Sequence, residues 1–402
     1  MKNAKTKILR ILTSMISVVM TAAVLLSFCS CGGDDGSGEA EPEVTKQSRT
    51  DGAGNGADET SSSPSGTAAP AFGWYNLISD ADEREIYDRV YGAVSHGEDS
   101  LTIDFNYYND DSDAVRNTTL LCLYDHPEYI CYDGSVEFEF SYGKDTGDGE
   151  MTISLGKNSF GDAEQREFDE EIAKITDGAS ALGSDYERAL FVHDELAKRC
   201  VYDWDSAAAG EGKGDRAAHS AYGCAVNGSA VCEGYAKAYT AALGRLGIDC
   251  IYVPGEGAGE SHAWNCVKLG DDYYFIDVTW DDADREEDYG VSVRYNYFGL
   301  TTAEAEKDHT PDDGIPPLPE CTATEYNYYV YNGLVLDRYT REDAANLFNS
   351  GAASIKFTSE DELDAAVADL FEERGCYEIE AFNGASFAYS ADGLVLNVYF
   401  AD

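Results

Sequence analysis

Cys232 falls near the start of "SAVCEGYAKAYTAALGRLGI" (229–248), where Val231, Tyr235, Ala238, Leu243 and Leu246 recur at helical spacing and Gly247 closes the run. With Asn227 or Ser229 as the cap, the thiol sits in the first helical turn. Unsatisfied amides and the positive end of the helix dipole favour a thiolate there. A first-turn cysteine alone is ordinarily a structural thiol, so the chemistry depends on what else reaches it. The second stretch is "ESHAWNCVKLGDDYYFIDVTWDD" (260–282), whose two arms alternate: His262, Trp264 and Cys266 point one way on the first, and Phe275, Asp277 and Thr279 share a face on the second. The intervening "LGDD" is an even-length turn, so opposed residue numbers sum to an odd value. His262 and Asp277 then share one face, directly across or one diagonal step apart. A carboxylate beside an imidazole fixes its tautomer, and an imidazole beside a cysteine draws off the thiol proton. The implied chemistry is acyl transfer at an amide carbonyl through a thioester on Cys232. An oxyanion needs an N–H donor, supplied by the Cys232 amide or by Tyr222 or Asn227, with Trp264 as a wall of the site.

These stretches, together with "ALFVHDELAKRCVYD", "SAYGCAVNG" and "YNYFGLTTAEAEKDH", resemble the transglutaminase-like superfamily in its exported bacterial branch over roughly residues 184–312. The resemblance implies an α+β fold with a papain/transglutaminase-like core, a nucleophile helix packed on an antiparallel sheet. It also implies Cys232 as nucleophile, His262 as general base and acid, and Asp277 as the orienting carboxylate. "YDHPEYI" (124–130) resembles a turn in the N-terminal unit of that branch. Animal transglutaminases follow the cysteine with Trp, whereas "EGY" follows it here. Hydrolysis by a peptidase or amidase is slightly favoured over cross-linking, because a tethered enzyme in an aqueous wall meets water everywhere and no stretch builds a dry amine channel. The alternative is a catalytically silent surface protein that binds protein or glycan partners. Cys224 and Cys266 lie close to triad positions, as core thiols or as partners for oxidation of Cys232.

The rest of the chain must position and deliver this site. "MKNAKTKILRILTSMISVVMTAAVLLSFCSCGG" has a basic start, an apolar run to Phe28 and small residues about two cysteines, an export pattern resembling a lipoprotein signal. Cys31, after Ser30, fits as the lipidation site better than Cys29, after Phe28. The expected organisation is signal 1–31, disordered tether 32–71, N-terminal α+β unit 72–178, catalytic domain 179–312 and C-terminal α+β unit 313–402. A net charge of −48, from 76 acidic against 28 basic residues, argues against nucleic acid and would attract cationic partners such as lysine-bearing peptides, so the expected substrate is a peptide or protein, cationic or from the cell wall. The membrane is then a partner only through the lipid anchor. The 11 cysteines show no CxxC pair, so their spacing does not assign disulfides. His262-x3-Cys266 lacks a second ligand pair, and "DDADREED" (281–288) lacks calcium-loop spacing, so neither metal nor cofactor is expected.

Overall fold

The computed structural model describes residues 72–143, 145–209, 215–283 and 293–401, together with Leu9 and Arg10, which pair in parallel with Ala388 and Tyr389. Apart from that pair, the expected signal with Cys31 and the tether lie outside the described residues, as does most of the acidic stretch after Ala283.

The first unit begins with α1 (Ala81–Ser95), where Asp80 caps the amides of Asp82 and Glu83 and Tyr87, Val90 and Val94 are buried. Strand β1 (Ser100–Asn106), helix α2 (Ser112–Asp125) and the hairpin β2 (Tyr132–Tyr142) and β3 (Asp148–Lys157) follow, forming an antiparallel sheet in the order β1-β3-β2. Helix α3 (Asp162–Ser180) runs across position 178, and its Phe168, Ile172 and Ile175 join the core around the central helices. Helix α4 (Asp185–Arg199) starts at a capping box between Ser184 and Glu187.

The central sheet is built from α5 (Cys232–Arg245), β4 (Cys250–Gly257), β5 (Glu260–Leu269), β6 (Asp272–Ile276), the short helix α6 (Val278–Asp281), β7 (Phe298–Leu300) and β8 (His309–Pro311). Its five strands are antiparallel in the order β7-β6-β5-β4-β8. Gly270, at φ 62°, helps turn the chain between Leu269 and Asp272, and the pairs Asn265↔Ile276 and Cys266↔Phe275 fix the odd-sum register. Alternation then divides the strands between two cores. Val267, Leu269 and Ile276 pack with α3, α4 and α5, whereas Ile251, Val253, Trp264, Cys266 and Phe275 pack with Trp74, Tyr87, Leu121 and Met151 of the first unit.

The last unit, α7 (Arg341–Asn349), β9 (Ser354–Phe357), α8 (Glu360–Val367), β10 (Ser386–Asp392) and β11 (Val395–Ala401), encloses its own aromatic core of Phe348, Phe357, Phe371, Phe382 and Phe387. The alternation in "NYYVYNGLVLDRY" (327–339) reads as a strand, but the strand is mostly absent. Tyr328–Tyr331 forms one helical turn capped by Asn327, and only Val335–Leu336 pairs as strand. A capping side chain has overridden the β-forming aromatic residues.

Candidate active site

Cys232 is the first residue of α5 and is half-buried. The chain reaches it through a π-turn at Gly223–Asn227, a left-handed Gly228 at φ 67°, and extended Ser229–Ala230 pairing in parallel with Val201–Tyr202. The expected cap from Asn227 or Ser229 is not formed. Val231 occupies the cap position without a side-chain hydrogen bond, because that strand pairing holds Ser229 two residues ahead of the cap. The helix start is held from behind, with the Val231 amide donating to the Ala218 carbonyl at 3.0 Å. A Cβ on Gly234 would fall 2.6 Å from that same oxygen, so glycine lets the turn lie against this segment. Glu233 accepts from His219 Nδ1 at 2.9 Å and Lys237 Nζ at 2.6 Å. Burial opposes its charge, but Lys237 and His219 outweigh that and hold its carboxyl at about 2.

His262 lies on β5, on the face that carries Trp264 and Cys266. Its Nε2 lies 2.7 Å from Asp277 Oδ2. Burial works against protonation of the ring. The Asp277 carboxylate, with a smaller contribution from Cys232, outweighs it, raising the imidazole to about 10. The Cys232 thiol is thus near enough to influence a ring whose Nε2 faces Asp277. Trp264 stacks beside the imidazole with ring centres 6.0 Å apart, and Trp280 lies at 5.1 Å. Gly257 provides the space, since a Cβ there would fall 2.8 Å from His262 Cδ2.

Asp277 is not on the strand, as the alternation suggested, and neither is Thr279. Strand β6 ends at Ile276, and Asp277 caps α6, its Oδ1 accepting the amides of Thr279 at 2.9 Å and Trp280 at 3.2 Å. The preference of aspartate for a cap ends the alternating pattern three residues early. The carboxylate is almost wholly buried. Burial favours its neutral form, but His262 and His309 dominate and keep it well below the usual carboxylate range. Helix α6 is braced in turn: His193 Nε2 of α4 lies 3.2 Å from Asp281 Oδ2, and Asp281 accepts the Tyr297 amide.

Two further side chains reach this site without having been singled out from the sequence. His309 Nε2 lies 3.2 Å from the same Asp277 oxygen that His262 contacts. Tyr202 lies close enough that burial, followed by the charges of Cys232 and Asp277, raises its phenol. Its ring centre is 4.6 Å from that of the exposed Trp204, which makes an aromatic lip near the thiol. "CVYDWD" carries a signal for the lip, two aromatic residues following a helix end. His309 arrives only through the pairing of β8 with β4.

Of the oxyanion candidates, Tyr222 donates its hydroxyl to Glu167 at 2.8 Å, and Asn227 is exposed at the end of the π-turn. The amides at the start of α5 have no side-chain cap. The ligand-type atoms of His262, Asp277 and His309 lie within 4.8 Å of one another, as three metal ligands also would. Here both histidine Nε2 atoms face one Asp277 oxygen, the pattern of a hydrogen-bonded chain. Among the other thiols, Cys266 Sγ lies 3.9 Å from Cys321 Sγ, both buried.

Residues 173–279 match the family model described as the transglutaminase-like superfamily, so the central unit carries a transglutaminase-like domain. Two solved structures resemble part of the chain. One is described as a TGase, at 19% identity over 36% of this chain and 44% of that one, with a TM-score of 0.28. The other, from Cytophaga hutchinsonii, is described as a candidate cysteine protease, at 12% identity over 36% of this chain and 62% of that one, with a TM-score of 0.24. The chain thus covers less than two thirds of either. No curated protein matches it.

Proposed function

We propose that this protein is a thiol enzyme that cleaves peptide or amide bonds through an acyl-enzyme on Cys232. The observation that carries the reading is one buried imidazole, His262, joined to Asp277 at 2.7 Å and near enough to the Cys232 thiol at the start of α5 to feel its charge. In the forward step the Cys232 sulfur bonds to the carbonyl carbon, the C–N bond breaks, and His262 gives its proton to the departing amine. Water then attacks the thioester as His262 takes its proton, releasing the acid and restoring the thiol. Asp277 keeps the ring oriented throughout, and the uncapped amides of α5 serve the developing oxyanion. Hydrolysis is preferred to transfer onto an amine because Cys232 is only half-buried beside the open lip of Tyr202 and Trp204. The acidic chain favours cationic peptide substrates, and the N-terminal pattern favours a lipid-anchored protein at the cell surface.

The test is to trap the acyl-enzyme from cell-wall and other peptides and to identify the modified residue by mass spectrometry. An acyl group on Cys232, absent in His262→Ala, is the expected result. Equal alkylation of Cys232 and of the likewise half-buried Cys131, unchanged in His262→Ala, would instead favour a silent binding protein.

A further inference from the structure

His309 opens β8 opposite Gly257 of β4, with its side chain only 2% exposed. Its Nε2 faces Asp277 Oδ2 at 3.2 Å, and its Nδ1 faces Asp308 Oδ1 at 2.7 Å. A neutral imidazole carries one N–H, whereas ionised carboxylates only accept. A ring with a carboxylate oxygen at each nitrogen satisfies both bonds only when both nitrogens are protonated. The groups around it agree with that charge: Asp277 comes from the junction of β6 and α6, and Asp308 from its own segment. The Tyr297 hydroxyl donates to Asp308 Oδ2 at 2.9 Å, and Glu306 and Asp312 line the cavity that His309 borders. The opposing cation is His262, its ring centre 5.4 Å away.

We infer that His309 is a positioning residue, a fixed imidazolium that shares Asp277 Oδ2 with His262 and so limits how tightly the carboxylate holds the His262 proton. This rests on the reading of Cys232, His262 and Asp277 as the catalytic groups. Two donors on one oxygen divide its pull. The His309 charge also repels the His262 imidazolium, which makes that ring a better proton donor to a departing amine. The electrostatics around His309 run the same way. Burial lowers its basicity, the Asp277 and Asp308 carboxylates more than restore it, and the His262 charge holds it back. Sequence order hides the arrangement, because 32 residues separate His309 from Asp277.

The experiment is two-bond imidazole nitrogen NMR on the full chain carrying Cys232→Ala, selectively labelled at its 6 histidines. With the thiol gone, no activity is needed. His309 should show both nitrogens protonated near neutral pH. Adding His309→Gln keeps an N–H donor for Asp277 but removes the charge, and should move the His262 titration upward by about one to two units. A part that is only structural would be rescued by Gln and leave that titration in place. A neutral His309 at neutral pH, or an unmoved His262 titration, overturns the inference. If the double variant does not fold, the protonation of His309 in the Cys232→Ala protein decides alone. Failure to trap an acyl-enzyme would defeat the enzyme reading without altering either resonance, so the two failures are distinguishable.

Discussion

Asp277→Asn replaces a carboxylate with an amide where two imidazoles converge. Oδ1 accepts the Thr279 and Trp280 amides at the start of α6, so the amide oxygen of Asn would stay there. The Asn nitrogen would then stand where Oδ2 now lies 2.7 Å from His262 and 3.2 Å from His309. Donor would face donor twice, in a site that is 3% exposed. Removing one partner of a buried charge pair costs about 3–5 kcal/mol, and this carboxylate serves two cations, so the upper part of that range applies. For a chain of this size the melting temperature should fall by about 5–6 °C. The dependence on pH has a definite sign. Asp277 titrates below its unfolded value of about 3.9, so its stabilisation is present above that pH and is lost as pH falls through the folded value. The gap between the two proteins should therefore be wide at neutral pH and narrow in acid. The chemical readout is site-resolved iodoacetamide labelling of Cys232 at neutral pH, which should slow by about tenfold as His262 loses its orienting partner and the thiolate fraction falls. Circular dichroism melts across pH together with the labelling rates make the assay. A variant that melts within about 1 °C of the parent at neutral pH, a difference of roughly 1 kcal/mol or less, and labels at the parent rate would refute the reasoning.

Gly257→Ala should slow Cys232 labelling by at least about tenfold, because its Cβ would fall 2.8 Å from His262 Cδ2 and 2.9 Å from Trp280. Unchanged labelling would mean that the ring yields without leaving its place. Incubation with oxidised glutathione should join Cys266 and Cys321 as the mixed disulfide resolves and reduced glutathione departs, which peptide mapping without reductant would detect. Recovery of both as free thiols after unfolding counts against the pairing. Cys31→Ser should leave an unprocessed precursor or release the protein from the membrane fraction, and fatty acid still incorporated in that variant would point to Cys29.

The hairpin was legible because side-chain period and loop parity are local properties. A two-residue turn at Gly270–Asp271 puts Cys266 opposite Phe275, and the same register sets His262 one diagonal step from Asp277. The sequence misled where a side chain could bond to its own backbone. Asp277 closes a strand by capping α6, Asn327 turns "YYVY" into a helical turn, and Ser229 joins a strand instead of capping α5. His309 was hidden for another reason. "EKDH" has no helical or alternating pattern of its own, and its meaning comes from a β8–β4 pairing across about fifty residues of chain, a contact no local period announces.

The same physics bears on whether the N-terminal unit is an accessory at all. Strand β4 carries "CIYV", apolar on both faces, as a strand covered on both sides must be. Helix α5 covers one side of the sheet. The other side, with Ile251, Val253, Trp264, Cys266 and Phe275, is closed by Trp74, Tyr87 and Leu121. The closure is also polar: Trp74 Nε1 donates to the Tyr252 carbonyl at 2.9 Å, and the Gly73 amide donates to Asp249 Oδ1 at 2.7 Å. Behind them Asp125 accepts the Trp74 and Tyr75 amides and the Tyr87 hydroxyl, and burial pushes it up to about 7 despite these bonds. Trp264, which flanks His262, thus rests on a core that residues 72–157 complete. A fragment beginning at residue 179 would expose that apolar face beneath the imidazole. It should therefore be recovered aggregated or without ordered tertiary structure, whereas one beginning at residue 72 should melt cooperatively. A folded, cooperatively melting 179–312 fragment would show that the sheet can stand on α5 alone.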